Sequence, residues 1–146
     1  MARELSGLDE VRRVLEECGT IAVLGAHTAR PKPAHYVPDY LAGQGYRILP
    51  VNPVFLGERA WGEPFAGRLA DLGRPVDVVE VFRRSEHLPS HLADLLAMRP
   101  APRGVWLQLG IRHDAVAQRL VDAGIDVVQD RCMLADHRAL GLAPRP

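Results

Sequence analysis

The sequence predicts an α/β fold in which a five-stranded parallel β-sheet is covered by helices on both faces. Three observations support this prediction: short apolar runs of strand length recur along the chain, segments with helical spacing separate them, and the connections between the two are short. Such alternation implies right-handed βαβ crossovers, which place all strands in one sheet between two helical layers. We expect the 146 residues to form a single domain with its core over about residues 20–136.

Five apolar runs predict the strands. The first, TIAVLG at residues 20–25, is continuously apolar and ends in glycine, as expected of a strand that is covered on both faces. Similar runs follow at residues 47–51, 76–82, 104–110 and 125–130.

Segments with helical spacing alternate with these strands. An amphipathic leading helix is predicted over residues 6–18, followed by helices over residues 34–42, 88–98 and 113–123. Two stretches fit less well, because Pro38 lies inside the second helix and residues 54–75 show no clean period. We expect the latter to be a loop with one short helical turn near residues 68–72. The whole pattern is that of a Rossmann-like three-layer sandwich.

Composition and charge exclude several functional classes. The 18 basic and 18 acidic residues cancel, so no global field draws the chain to nucleic acid or to an anionic membrane. The apolar stretches are too short for a membrane span, and the N-terminus lacks a signal-peptide core, so we expect a cytoplasmic protein. Cys18 and Cys132 are too few to build a metal framework, and we expect no metal.

Ligands of open α/β sheets bind beyond the carboxyl ends of the strands, which makes the loop after the first strand a candidate site. Gly25, Ala26, His27 and Thr28 precede a helix, so their amides can face an anion, and Arg30 and Lys32 follow as cations. The loop lacks both the G-x-G-x-x-G fingerprint of dinucleotide binding and the Walker lysine pattern. A phosphate loop and an ordinary solvent-facing loop both remain open.

The second strand ends at Val51, Asn52 and Pro53, without the carboxylate that holds the ribose of NAD in dinucleotide-binding folds. A strand-ending turn also explains these residues. The functional interpretation is that a carboxylate would repel a phosphorylated ribose, whereas an uncharged strand end tolerates one.

The third and fourth strands end in further candidates. Phe82 can flank a base while Arg83 reaches a phosphate, or Phe82 can complete the core while Arg83 faces water. At the fourth strand, Gln108 needs a partner if it is buried, and Leu109 is followed by Gly110, which would let a ligand approach the backbone.

Other polar and aromatic residues have simpler explanations. His87 and His91 have a spacing that can clamp a metal, but no third ligand follows and Pro89 lies between them, so a solvated helix face is expected. His27 is expected to donate a hydrogen bond to phosphate rather than to act as a general base, because nothing orients it. Trp61 and Trp106 are expected to lie in the core.

Five features together resemble the small single-domain CoA-binding proteins: Gly25-Ala26 after the first strand, and the stretches GYRILPVNP, PVDVVEVFRR, VWLQLGI and AGIDVVQDRC. That family is similar to the N-terminal CoA-binding domain of succinyl-CoA synthetase α subunits, and the match spans about residues 21–136. The resemblance implies that coenzyme A lies across the strand ends. Its implied contacts are Gly25, Ala26, His27, Thr28, Arg30, Lys32, Val51, Asn52, Pro53, Phe82, Arg83, Gln108, Leu109 and Gly110.

The sequence departs from the family pattern at three positions. His27 stands where serine is common, Pro38 is unusual in the helix after the loop, and Phe55 occupies the region where synthetase α subunits have a lysine. Arg30, Lys32 or Arg83 can compensate for the missing lysine.

The resemblance predicts a non-catalytic protein that binds coenzyme A or an acyl-CoA, as a carrier, sensor or regulatory module. The chain is too short for the phosphohistidine domain and nucleotide-grasp subunit of a synthetase. Assembly into a homo-oligomer or with an enzyme partner remains open. A mixed disulfide between Cys132 and the coenzyme thiol also remains open. Two alternatives remain: an NADP-dependent reductase or regulator, and an interaction subunit with a vestigial nucleotide pocket.

Overall fold

A six-stranded parallel sheet and a separate two-stranded hairpin form the framework of the computed structural model, which describes residues 1–145. The strand order in the sheet is β1-β8-β7-β6-β2-β3. The strands are β1 (Glu4–Leu5), β2 (Thr20–Leu24), β3 (Arg47–Val51), β4 (Arg59–Ala60), β5 (Glu63–Pro64), β6 (Val78–Val81), β7 (Gly104–Leu107) and β8 (Asp126–Val128). The helices are α1 (Leu8–Glu17), α2 (Pro33–Gly43), α3 (Leu88–Ala97), α4 (Asp114–Asp122) and α5 (Met133–Leu140).

The predicted α/β fold class is confirmed, with six strands in the sheet rather than five. The additional strand, β1, pairs with Val127 and Val128 of β8. Its two residues are too few to produce an apolar run that the sequence pattern can reveal. The leading helix follows it directly, and Gly7 takes a positive φ of 82° between the two elements.

Side chains of alternating residues in the central strands pack into two separate cores, one on each face of the sheet. Ile21 and Val23 face the layer formed by α1, α2 and α5, whereas Ala22 and Leu24 face the layer formed by α3 and α4. Both faces of β2 are therefore covered, which explains its continuously apolar sequence. Trp106 is fully buried in the first core, as predicted, and its Nε1 donates to the carbonyl of Arg131 at 2.8 Å.

Residues 54–75 contain more structure than predicted. The expected helical turn is present at Leu69–Asp71, but the hairpin β4–β5 was not predicted. Its turn consists of Trp61 and Gly62, both with positive φ (54° and 77°), the backbone pattern of a type I′ turn. The sequence conceals this turn because a bulky residue rarely adopts that conformation.

The C-terminal residues pack against the rim formed by the amino ends of the strands. The amide of Arg145 donates to the carbonyl of Gln44 at 2.7 Å, and its Nη1 donates to that of Glu16 at 2.9 Å. The guanidinium also lies over the ring of Tyr46, 5.1 Å from its centroid. This segment ties the end of α1 to the turn between α2 and β3.

Within residues 1–145, no helix combines the length and the apolar character required to cross a membrane.

Glu80 is a carboxyl group buried in the middle of the sheet. It lies on β6 between Val23 and Trp106, is fully inaccessible, and neither of its oxygens has a hydrogen-bond partner among the described residues. Burial raises the pKa of Glu80 to about 8, because desolvation disfavours the charged form. Near neutral pH this side chain is therefore a protonated, uncharged acid in the folded protein.

We expect the substitution Glu80→Gln to remove a pH-dependent loss of stability. The pKa of Glu80 is about 8 in the folded state against an ordinary value of 4.5, so unfolding between these pH values releases a proton. Stability then falls as pH rises through this window, by up to about 1.4 kcal/mol per pH unit. Denaturant unfolding should show the variant on the order of 3 kcal/mol more stable than the wild type at pH 7 and little different near pH 4.

The exposed carboxyl of Glu16 provides the matched control. Glu16→Gln should show no such gain. An advantage of Glu80→Gln that is equally large at pH 4 and pH 7 would contradict the assignment of a protonated Glu80.

Candidate functional site

The ends of three adjacent strands form the site. β2 lies between β3 and β6, so the chain leaves β2 toward β3 on one side and later returns to β6 on the other. This reversal is the topological switch point, where open α/β sheets form a crevice. Backbone hydrogen bonds continue past the strands, from Gly25 N to the Val51 carbonyl and from Phe82 N to the Leu24 carbonyl, each 2.8 Å long.

The loop Gly25–Arg30, here called the anion loop, requires glycine at its first position. Gly25 has a φ of 91°, and a Cβ built on it would lie 2.7 Å from the carbonyl oxygen of Phe82. Any larger residue would push the β2 and β6 ends apart. Glycine therefore allows the loop to cross closely over the end of β6.

Pro38 contributes to the anchoring of the anion loop. A proline has no N–H, so Pro38 leaves the carbonyl of Ala34, four residues earlier in α2, without its usual helical donor. The amide of His27 donates to this carbonyl at 3.2 Å. The second contact between loop and helix is a hydrogen bond from His35 Nδ1 to the carbonyl of His27, at 2.9 Å. The proline inside the helix thus supplies an acceptor for the loop.

Asn52 anchors the same loop from the β3 side. Its Nδ2 donates to the Ala26 carbonyl at 2.9 Å, and its Oδ1 accepts from the amide of Val54 at 3.0 Å. Both ends of the side-chain amide are therefore engaged within the protein. Asn52 holds the anion loop in place, and the β3 end presents no negative charge to a ligand.

Several donors and cations of this loop region remain available. Neither the amide nor the hydroxyl group of Thr28 has a hydrogen-bond partner within residues 1–145, and across the same range Arg30 and Lys32 pair with no carboxylate. Both cations are exposed. The arrangement can bind an anion with backbone, hydroxyl and cationic groups.

A cleft of about 400 Å³, here called the switch-point cleft, opens beside the loop. Gly25, Asn52 and Pro53 line one side of it, and Arg83 extends into it from the β6 end. Its other polar lining residues, here called the far wall, are Arg68, Ser90, His91 and Asp94.

Comparison with known proteins identifies the family. A family model described as a CoA binding domain matches residues 19–138. The chain belongs to this CoA-binding domain family. The resemblance predicted from the sequence is thereby confirmed.

Two further proteins are similar to this chain over most of its length. The uncharacterized protein YneT of Bacillus subtilis (strain 168) is 33% identical over 128 residues, which cover 88% of this chain and 92% of that protein. The Thermus thermophilus protein known as cell-free ID.343 is 50% identical, with a TM-score of 0.87 over 92% of this chain and 99% of that one.

A larger protein shares the fold. The dinucleotide forming acetyl-coenzyme A synthetase 1 of Ca. Korarchaeum cryptofilum, solved with phosphate and ADP, matches 82% of this chain with a TM-score of 0.63 at 17% identity. The match covers 27% of that protein.

The structure brings together five of the fourteen predicted site residues in the switch-point cleft and two more in a cavity beside it. Gly25, Val51, Asn52, Pro53 and Arg83 line the switch-point cleft. Thr28 and Arg30 line a neighbouring cavity of about 600 Å³. Ala26 is fully buried, and Lys32 immediately precedes α2.

The predicted residues after β7 lie outside this cleft and fulfil local roles. Gln108 is buried, and its Oε1 accepts from the amide of Met133 at 3.3 Å. The amide of Gly110 donates to Asp130 Oδ1 at 2.6 Å, while Leu109 is exposed. The need of Gln108 for a polar partner is thus met by the start of α5.

Packing bears on two aromatic predictions. Phe82 is half-buried and packs against the core under α1, α2 and α5, and its contact with a base stays a prediction. Trp61 is half-buried at the tip of the hairpin and packs against the edge of the same core. There it stacks on His35, 5.4 Å between ring centroids, and donates to Asp39 Oδ1 at 3.1 Å.

The two cysteines differ in their surroundings. Burial raises the pKa of Cys18 to about 12, so its thiol stays protonated and packs in the core. Cys132 is half-buried immediately before α5. Its reaction with a coenzyme thiol stays a prediction.

The residues of the far wall of the cleft were not predicted from the sequence. His91 was expected on a solvated face, but it is half-buried in the cleft, whereas His87 is exposed. Burial, and to a smaller extent the Arg83 charge, lowers the pKa of His91. No group of three residues able to hold a metal is found among residues 1–145.

We expect Pro38→Ala to loosen the anion loop. The new N–H at position 38 would compete with the amide of His27 for the Ala34 carbonyl, and a hydrogen bond of this kind contributes about 0.5–1.5 kcal/mol. Hydrogen exchange at the His27 amide should accelerate roughly two- to tenfold. Pro33→Ala, at the first position of α2, is the control and should leave this amide unchanged. Equal exchange at His27 in the wild type and Pro38→Ala would show that the proline does not serve the loop.

Proposed function

We propose that this protein binds coenzyme A or an acyl-CoA at the switch-point cleft and the anion loop, and that it acts as a carrier, sensor or regulatory module. The observation that carries the proposal is the set of unengaged groups on the anion loop and just after it. Among residues 1–145 the donors of Thr28 have no hydrogen-bond partner, and Arg30 and Lys32 pair with no carboxylate. Membership of the CoA-binding domain family supports coenzyme A as the ligand.

The charge distribution also supports this ligand. Coenzyme A carries a pyrophosphate and a 3′-phosphate, so it requires cations near both groups and no unpaired carboxylate at the ribose. The β3 end offers the neutral Asn52, and the carboxylate of Asp94 in the cleft is paired with Arg68. Free NAD would find no carboxylate at β3 to accept its ribose hydroxyl groups.

A non-catalytic role is supported by the engagement of the polar groups nearest the cleft. His27 Nδ1 accepts from the amide of Ala29 at 2.9 Å, and the Ser90 hydroxyl donates to the His87 carbonyl at 2.6 Å. A serine nucleophile needs an adjacent base, and the hydroxyl of Ser90 is directed to a backbone carbonyl instead.

Calorimetric titration with coenzyme A, dephospho-coenzyme A, NADPH and ADP tests the proposed ligand. We expect coenzyme A to bind most tightly and NADPH weakly. Binding of NADPH without any response to coenzyme A would favour a reductase or regulator instead. Failure of all four ligands to bind would identify the pocket as vestigial.

The combined substitution Arg30→Ala and Lys32→Ala should weaken binding of coenzyme A and dephospho-coenzyme A by the same factor, roughly tenfold or more. Both ligands contain the pyrophosphate that we assign to the anion loop. Arg12→Ala, which removes an exposed arginine from α1, should leave both dissociation constants unchanged. Unchanged binding in the double variant would show that the pyrophosphate lies elsewhere.

A further inference from the structure

Three basic side chains that line the switch-point cleft come from separate parts of the chain. Arg68 precedes the short helical turn at Leu69–Asp71, Arg83 follows β6, and His91 lies in the first turn of α3. They converge on one cleft only through the tertiary fold.

Arg83 lines the cleft beside the anion loop. Its Cδ lies 3.2 Å from the position that a Cβ on Gly25 would occupy, so its side chain passes directly over the start of the anion loop. Its Nε donates to His91 Nε2 at 3.3 Å. Its two terminal amino groups have no hydrogen-bond partner among residues 1–145, and they remain available to a ligand.

Arg68 is held by a carboxylate of the far wall. Its Nε and Nη2 donate to the two oxygens of Asp94, at 3.2 Å and 2.6 Å, in a bidentate pair. The Arg68 side chain is 66% exposed, so a ligand in the cleft can reach it. The paired carboxylate oxygens occupy the positions that two phosphate oxygens would take against a guanidinium.

We propose that Arg68, Arg83 and His91 form a subsite for a phosphomonoester, namely the 3′-phosphate of coenzyme A, and that Asp94 is the internal counter-ion that this phosphate replaces at Arg68. The inference rests on the proposed function and assigns the ligand's orientation. The adenosine lies against Pro53 and Val54, and the pyrophosphate lies over the anion loop.

A phosphomonoester fits this subsite better than a phosphodiester or a carboxylate. It carries close to two negative charges and three acceptor oxygens, which match two guanidinium groups and an imidazole. The start of the ten-residue helix α3 adds favourable potential for an anion, because Ser90 and His91 of its first turn line the cleft.

His91 gives the subsite a pH dependence. Its charged neighbours are Arg83 from the β6 end, Asp94 from α3, and His87 before α3; of these, Asp94 alone favours protonation. In the free protein His91 Nε2 accepts from Arg83, so the ring is neutral. A dianionic phosphate between the two side chains would stabilise the protonated ring, so binding takes up a proton and tightens as pH falls.

The decisive measurement is the preference for coenzyme A over dephospho-coenzyme A, the ratio of their dissociation constants, determined by calorimetry. We expect the wild type to prefer coenzyme A, and R68Q and R83Q each to reduce this preference about tenfold while the affinity for dephospho-coenzyme A changes less than about twofold. R84Q removes an adjacent exposed arginine that does not line the cleft and should preserve the preference.

The outcomes separate this inference from the proposed function. Equal weakening of both ligands by R68Q and R83Q would overturn the subsite, as would a wild-type protein that binds both ligands equally well; coenzyme A binding itself would then stand. A wild-type protein that binds neither ligand would overturn both proposals. Arg68 is largely exposed, so R68Q tests the subsite without threatening the fold, and ligand-free melting temperatures verify this.

Asp94 and His91 provide two further readouts of the same ratio. D94N releases Arg68 and should raise the preference for coenzyme A several-fold, whereas an unchanged or lower preference would exclude the counter-ion role. Between pH 8 and pH 6.5 the wild-type preference should rise more steeply than that of H91Q. Titration of the ligand's own phosphate affects both proteins alike. If the preference depended on pH in the same way in the wild type and in H91Q, His91 would not be part of the subsite.

Discussion

The two backbone hydrogen bonds that continue the sheet beyond β2 determine the geometry of the site. They connect Gly25 to Val51 and Phe82 to Leu24, and thus keep the β3, β2 and β6 ends side by side at the point where the strand order reverses. Everything that lines the cleft is placed relative to these three ends. The absence of a Cβ at Gly25 is the steric condition for this arrangement.

The neutral character of the β3 end follows from a structural requirement as much as from a ligand preference. Asn52 needs a donor for the Ala26 carbonyl and an acceptor for the Val54 amide, and its side-chain amide supplies both. A carboxylate can only accept, so it would leave the Ala26 carbonyl unpaired and place a charge beside the anion loop. Loop anchoring and tolerance of a phosphorylated ligand are thus properties of one side chain.

Sequence reasoning found the parts of the molecule that depend on local pattern. β2 and β6 are short apolar runs, and Gly25, Asn52 and Arg83 directly follow strands whose carboxyl ends must share one rim. The strand β1 and the hairpin turn at Trp61 escaped detection because two residues carry no period and a tryptophan gives no turn signal.

The far wall of the cleft could not be predicted for a different reason. Arg68 and His91 are separated along the chain, and only the packing of α3 against the loop that contains Arg68 brings them together. Pro38 looked like a defect in a helix. Its role emerges only when the carbonyl that it frees is seen to accept from His27. Conversely, Gln108 lies at the same rim, but its side-chain oxygen accepts from the amide of Met133 at the start of α5.

The docking of Arg145 at the amino ends of the strands has a practical consequence. The described chain leaves the sheet beside Gln44 and Glu16, at the opposite rim from the anion loop. A fluorescent fusion or a surface tether attached at that end would therefore point away from the ligand rim and leave the cleft open to solution. Distance measurements between a label there and a bound ligand would span the height of the sheet.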